Sequence, residues 1–297
     1  MQDAVVLVTG GSGFIGEVLC NALAAAGAHV VSASRRIGSS STSVQHHPVD
    51  LADAEATRNL VRSIRPDYVY HLASYVTGQT GTEHVLPSLS ANLLTTVYLM
   101  LSLQEFGCRR LVLAGSLVEP DARNSESAPS SPYAAAKWAS SDYARMFRSL
   151  YGLPVAIARV FMVYGPGRQD TSKLVPYVIT SLLRGERPRV SSGRRQIDWI
   201  YVDDVVRGLI RLAEAQSIEG RTIDLGSGVL TTTTDLVQRL CHLVGSGIEA
   251  EFDSSRDRPN EPLRIARLDD TRQRIGWAPE INLDSGLQRT VAWFRDR

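Results

Sequence analysis

The chain's 297 residues, 43% hydrophobic and 21% charged with a formal net charge of +1, suit one large domain or two modest ones around a substantial core. Near-neutrality removes the electrostatic ground for nucleic acid or a membrane surface as partner, and no apolar run reaches the roughly 18 residues of a membrane span. The opening MQDAVVLVTGG carries no basic leader, so a cytoplasmic location is expected. The scattered Cys20, Cys108 and Cys241 fit neither a disulfide framework nor a metal site.

In chain order, the β-rich runs AVVLVTG, HVVSAS, DYVYHLA, RLVLAGS and PVAIARV alternate with helical stretches such as 14–26 and 91–106. Near-continuous apolar strands separated by helices predict a parallel sheet covered on both faces. Right-handed crossovers then give an α/β fold with a doubly wound, Rossmann-type sheet, whose ligand crevice lies at the carboxyl ends of the strands. The polar SSSTS at 39–43 reads as a loop after the second strand. Past Tyr164-Gly165-Pro166-Gly167 the pattern loosens into a helix at 174–184, a strand-like DWIYV and a helix at 205–215. The expectation is a dinucleotide-binding domain over 1–165 and a smaller α/β substrate cap over 166–297, with segments near 200–226 returning to the main sheet.

Glycines 10, 13 and 16 stand where the first strand turns into the first helix, in VTGGSGFIG. There the first permits a tight turn, the second lets backbone approach a pyrophosphate, and the third lets helix pack on strand. The helix start adds N–H groups and a positive dipole end. Gly10, Gly13, Phe14, Ile15 and Gly16 are therefore the predicted dinucleotide-binding residues. The second strand ends Ser32-Ala33-Ser34-Arg35-Arg36, with no carboxylate before Asp50 to take the ribose 2′-hydroxyl of NAD. Ser34, Arg35 and Arg36 suit a 2′-phosphate, because guanidinium forks grip phosphate oxygens, so NADP is expected over NAD. Asp50 and Leu51 are placed to hold the adenine edge; Asp50 can equally cap the following helix.

Only Lys137 and Lys173 are lysines among 32 basic residues, so each invites a reason. In SPYAAAKW, Tyr133 and Lys137 stand at i and i+4 on one helical face. A free tyrosine titrates near ~10, too high for proton exchange at neutrality. A nearby ammonium, helped by an oxidised nicotinamide, favours the phenolate, and the same lysine can donate to a cofactor ribose. Ser116 closes the strand LVLAGS and can hydrogen-bond the substrate oxygen that Tyr133 protonates or deprotonates. Ser116, Tyr133 and Lys137 are the predicted catalytic residues, the last two also touching the cofactor.

With these motifs the chain resembles the extended short-chain dehydrogenases/reductases, the NAD(P)-dependent epimerases, dehydratases and reductases of sugar nucleotides. The resemblance runs through TGGSGFIG, YHLAS, Asn92, LAGS, SPYAAAK, ARVFMVYGP, DWIYVDD, DRPNE and IGWAP. It implies that His71, Leu72 and Ala73 line the nicotinamide side and that Asn92 organises the catalytic helices. It implies a homodimer through the helices at 91–106 and 133–150. It also implies a nucleoside-diphosphate sugar as substrate, its diphosphate held by Arg258 with Lys173, Arg194 and Arg195 nearby. Met162 and Ile197 depart from the family's frequent asparagine and arginine at those places.

Absences narrow the reaction. Dehydratases of this kind carry an acidic pair after the serine or threonine, where this chain has Leu117 and Val118. Decarboxylases tend to have glutamate where Val118 stands, and Glu119 comes one step later. Two readings need no more than Ser116, Tyr133 and Lys137. The expected one is NADPH-dependent reduction of a keto-sugar at C4; the alternative is a 4-epimerase with tightly bound NAD. A ketoreductase of a non-nucleotide substrate and a catalytically silent nucleotide sensor are lesser alternatives, since fold does not fix function.

Overall fold

Alternation along the first strand sets up two cores. In β1 (Val5–Thr9), Val6 and Val8 face one side and Leu7 the other, and all three are fully buried. The computed structural model describes residues 1–35, 43–120, 127–257 and 262–297. Arg36, Arg258 and most of the SSSTS stretch lie outside the described residues.

Beside β1 run β2 (His29–Ser34), β3 (Val44–Pro48), β4 (Tyr68–His71), β5 (Arg110–Ser116) and β6 (Val155–Val160). The smaller strands are β7 (Met162–Tyr164), β8 (Arg189–Val190), β9 (Gln196–Tyr201), β10 (Thr222–Leu225), β11 (Leu230–Thr232) and β12 (Glu251–Phe252). The main sheet has seven parallel strands in the order β10-β6-β5-β4-β1-β2-β3. The doubly wound sheet read from the apolar runs is therefore present. Its order reverses between β1 and β4, where such sheets bind their ligands. β10 comes from the second half of the chain and pairs with β6 as the edge strand.

One face packs on α1 (Phe14–Ala25), through Leu19 and Leu23. The opposite face packs on α2 (Ala54–Ile64), through Leu60 and Val61. Two short helical pieces, α3 (Val85–Ser88) and a π-helical turn at Leu89–Leu94, lead into α4 (Thr95–Phe106), which lies beside α2. Next comes α5 (Pro132–Tyr151), whose Ala144 and Phe147 complete that face. Each fully buried Leu or Val here contributes about 1.5–3 kcal/mol. The run Thr82–Phe106 starts earlier than the 91–106 stretch read from sequence. By length and composition it is apolar enough to cross a membrane, with mean hydropathy 1.4, yet Asn92, Thr95, Thr96 and Met100 are buried where it packs beside α5 and α2. Of its most apolar window 39% is buried, and Leu86, Leu89 and Leu101 remain exposed.

The rest of the chain adds α6 (Leu174–Leu183), α7 (Val202–Glu214), α8 (Thr233–Val244), α9 (Leu268–Ile275) and α10 (Leu283–Arg295). Through Val205, Leu209 and Leu212, α7 joins α1 on the first face. A third core, built from Val178, Ile179, Trp199, Leu236, Leu240 and Leu287, lies under the small sheets β11-β9-β7 and β12-β8. Ile197, at the place of an expected arginine, is 6% exposed in this core.

Candidate active site

The loop after β1 is fixed by what its glycines leave no room for. Gly10 has φ +72°, and a Cβ there would fall 2.7 Å from the Ala73 backbone nitrogen. A Cβ at Gly16 would reach 2.2 Å from the Gly10 carbonyl, so the third glycine seats α1 against the loop itself. At Gly13 the added atom would meet only the Gly10 carbonyl, at 3.1 Å. Gly13 is also the N-cap of α1 and makes no side-chain capping bond, so the helix's first N–H groups are left to an anion. These residues fit a dinucleotide pyrophosphate. Phe14 and Ile15 come next, partly buried against the first core, and the Phe14 ring lies 3.2 Å from where a Cβ of Gly167 would stand. The glycine spacing does not single out Gly11, yet its Cβ would meet the Ser32 hydroxyl at 2.3 Å.

Behind the loop, hydrogen bonds tie four elements together. The Thr96 hydroxyl donates to the Asn92 carbonyl at 2.6 Å, so its oxygen accepts from His71 Nε2 at 3.0 Å. His71 Nδ1 then accepts from the Thr9 hydroxyl at 2.7 Å, whose oxygen takes the Ala73 N–H at 3.3 Å. Burial, with the Lys137 charge, pushes His71 down to about 3, so it stays neutral. The Leu72 N–H donates to the Thr9 carbonyl at 3.1 Å, which places Leu72 and Ala73 across from the glycine loop. Asn92 sits in the π-helical turn, where a backbone carbonyl can escape the helix's own ladder. Its side chain takes the Ser74 hydroxyl at 2.6 Å and the Tyr75 N–H at 3.0 Å. The Ser140 hydroxyl of α5 lies between the Ala136 carbonyl at 2.7 Å and that of Asn92 at 3.1 Å.

Ser131 caps α5 by accepting the Ala134 N–H at 3.2 Å, and Pro132 fills the first helical turn. This start carries Tyr133 and Lys137 to the end of β5, where Ser116 is 8% exposed. Burial pushes the half-buried Tyr133 phenol up to about 12; hydrogen bonding with the Ser116 and Ser74 hydroxyls pulls it down, and the Glu119 charge pushes it up. Lys137, expected to lower this phenol, does not figure among the groups acting on it, and burial raises it in the protein alone. Lys137 is 4% exposed and donates from Nζ to the Ala114 carbonyl at 2.9 Å, one of its three donors. Burial brings it down to about 8, against the raising pull of Glu119. The sequence assigns no role to Ser74 or Glu119. Ser74 lies in the YHLAS segment, but its reach to Tyr133 comes from tertiary packing.

The outlying candidates are less concentrated. Ser34 is partly buried and Arg35 exposed at the end of β2. Asp50 is exposed and takes the Ala52 N–H at 3.0 Å; the cap of α2 is Asp53, not Asp50. The Leu51 side chain belongs to the second core, at 5% exposure. On the cap side, Lys173 precedes α6 and reaches the Val76 carbonyl at 3.4 Å. Arg194 has an 81% exposed side chain 3.8 Å from Asp257. Arg195 is half-buried, and its carbonyl takes the Thr233 N–H at 2.9 Å.

A glycine loop opening α1 and a Ser-Tyr-Lys set at the end of β5 define a Rossmann-fold dehydrogenase/reductase. The model of the NAD dependent epimerase/dehydratase family matches residues 6–226, and the chain belongs to this enzyme family. It is 32% identical to a UDP-glucose 4-epimerase of Mycolicibacterium smegmatis, over 98% of both chains. It superposes on a UDP-glucose 4-epimerase from Thermotoga maritima, solved with UDP-glucose, with TM-score 0.89, 25% identity and coverage of 98% and 99% of the two chains. The Bordetella bronchiseptica enzyme WbmF, solved with NAD+ and UDP, matches with TM-score 0.85 and 25% identity over 99% of this chain and 93% of that one.

Proposed function

We propose that the chain is a UDP-hexose 4-epimerase working with NAD, in place of the NADPH-dependent reductase expected from the Ser34-Arg35-Arg36 loop. Bound at the glycine loop, NAD supplies the hydride acceptor and donor. Tyr133 takes the proton of the sugar's C4 hydroxyl and returns it after the ring has turned. Ser116 hydrogen-bonds the same oxygen and holds it at the phenol. Lys137 favours the phenolate as the proton leaves and presents its remaining donors to the cofactor ribose. Lys173, Arg194, Arg195 and Arg258 are the proposed diphosphate contacts.

The observation that carries this reading is the character of the three residues after Ser116. Leu117 is 6% exposed in the first core, and Val118 packs against that core. Glu119 is turned inward, to the Ser141 hydroxyl of α5. Among the described residues after Ser116, the site offers Tyr133 as carrier of one oxygen's proton and no acidic pair for an elimination. A redox-neutral exchange at C4 needs no more than Ser116, Tyr133 and Lys137. The UDP-glucose 4-epimerases among the similar proteins support the same choice. Exposed Leu86, Leu89, Leu101, Tyr143 and Leu150 on the helices at 85–106 and 133–150 support a homodimer through those helices.

Purified protein given UDP-glucose tests the reading. The expected result is UDP-galactose formed without net change in nicotinamide absorbance, with NAD released on denaturation. Stoichiometric NADPH consumption with a keto-sugar nucleotide, and no interconversion of epimers, would overturn it.

A further inference from the structure

Three side chains repeat at every fourth position along one face of α5: Tyr133, Lys137 and Ser141. Tyr133 and Lys137 have roles in the proposed reaction. Ser141 is fully buried, and its hydroxyl donates to Glu119 Oε2 at 3.0 Å. The other carboxylate oxygen, Oε1, accepts the Ser116 backbone N–H at 2.6 Å. Glu119 is itself 1% exposed. Space is kept for it by Gly115, where a Cβ would stand 2.6 Å from Oε1. An acidic side chain this deep is costly unless hydrogen-bonded and matched by charge.

The charged and titratable groups facing it come from each neighbouring element. Lys137 and Tyr133 face it from α5, and Arg159 from β6. Arg159 is already engaged with Asp224, Nη1 to Oδ1 at 2.9 Å. His71, on β4 near Lys137, is neutral and adds no charge. Burial raises the Glu119 carboxyl, while the Ser116 N–H, Arg159, the Ser141 hydroxyl and Lys137 act to lower it, so its charge depends on these partners as that of Lys137 depends on it.

We propose that Glu119 is a positioning residue, whose carboxylate fixes the Ser116 end of β5 to α5 and keeps the buried Lys137 an ammonium at neutral pH. The proposal rests on the Tyr133-Lys137 reading for its catalytic meaning, but the arrangement itself can be measured without any substrate. Burial alone works against the charged lysine, and Glu119 is the group that raises it. The same negative charge opposes phenolate formation at Tyr133. Glu119 therefore trades a harder first deprotonation for an ammonium that survives in a dry site.

The chain's two lysines make the test direct. Protein with isotope-labelled lysine is titrated by NMR at Cε, the two signals being assigned with Lys173→Arg. The Lys137 midpoint is expected at about 8 in the parent protein. In Glu119→Gln, which keeps an oxygen for the Ser116 N–H but loses the charge, it should fall by about one pH unit or more. Glu119→Asp should restore most of that fall. An unchanged midpoint in folded Glu119→Gln overturns the proposal. Should that variant fail to fold, the parent titration decides, because coupling to a carboxylate gives the Lys137 signal a second inflection at acid pH. A single inflection overturns the proposal. Activity separates the two readings: an active Tyr133→Phe defeats the proposed chemistry, whereas an inert Tyr133→Phe beside an unmoved Lys137 midpoint defeats only the role of Glu119.

Discussion

Two buried carboxylates, one in each half of the molecule, have opposite surroundings. In the cap, Asp198 is 1% exposed and accepts from the Ser227 N–H and hydroxyl, the Gly228 N–H and the Ala266 N–H, at 2.6–3.0 Å. In the Rossmann half, Glu119 accepts from one N–H and one hydroxyl and lies in the field of Lys137. The first is saturated by short dipoles and acts as a staple for the loop at 226–229 and the segment near 266. The second has fewer donors, and in the role proposed for it its charge acts on Tyr133 and Lys137. Burial of an acid therefore does not define its task; the number and kind of its donors do.

The largest effect expected on the Rossmann side comes from the phenol. Tyr133→Phe removes the proton carrier and should lower kcat by roughly 100- to 10,000-fold, while nucleotide extracted from the purified protein remains at the parent's level. Comparable turnover by the variant would show that the proton leaves by another route. The cap side should respond in stability instead of rate. Asp198→Ala strands the backbone N–H groups of Ser227, Gly228 and Ala266, which should cost about 3 kcal/mol. Urea unfolding gives the size, and hydrogen exchange should speed first in the segment near Ala266. A variant as stable as the parent would mean that the staple is dispensable.

Acid separates the halves in another way. The folded pKa of His71, about 3, lies below its ordinary value of 6.5, so the unfolded chain binds the extra proton. Stability from keeping this imidazole neutral is present above pH 6.5 and is lost as pH falls toward 3. Between pH 6.5 and 5 the loss should be about 2 kcal/mol. Urea midpoints measured across that window check it. His71→Asn should be less stable at neutrality and should lose this slope; an unchanged slope would place the titration elsewhere.

Legibility in the sequence tracks the range of the interactions. The doubly wound sheet is readable because β1, β2, β4, β5 and β6 are apolar runs bounded by turns, a signal carried within a few residues. Gly10, Gly13 and Gly16, and the pair Tyr133 and Lys137, lie within single strand-to-helix or helical segments, so their spacing carries the message. Ser74 reaches Tyr133 from β4's end, Ser141 reaches Glu119 across 22 positions, and Gly11 is held by Ser32 of the next strand. Nothing local marks these contacts, since packing alone creates them. The phenol misleads for the same reason: the i, i+4 spacing shows the ammonium but hides the burial that raises the phenol.

The smallest effect should come from the exposed rim of the cap, where the contrast with Lys137 is greatest. Arg194 has an 81% exposed side chain, with its guanidinium 3.8 Å from Asp257. Water screens such a group, and an exposed pair of this kind contributes about 0–1 kcal/mol. If Arg194 meets the diphosphate as proposed, Arg194→Ala should raise KM less than about tenfold and leave kcat and stability near the parent's. Steady-state kinetics at low and high salt would show it, the KM difference shrinking as salt rises. A hundredfold rise in KM would mean that substrate closes the cap over Arg194 and buries it. The rim would then resemble the Lys137 side, with a desolvated cation made by the ligand instead of the fold.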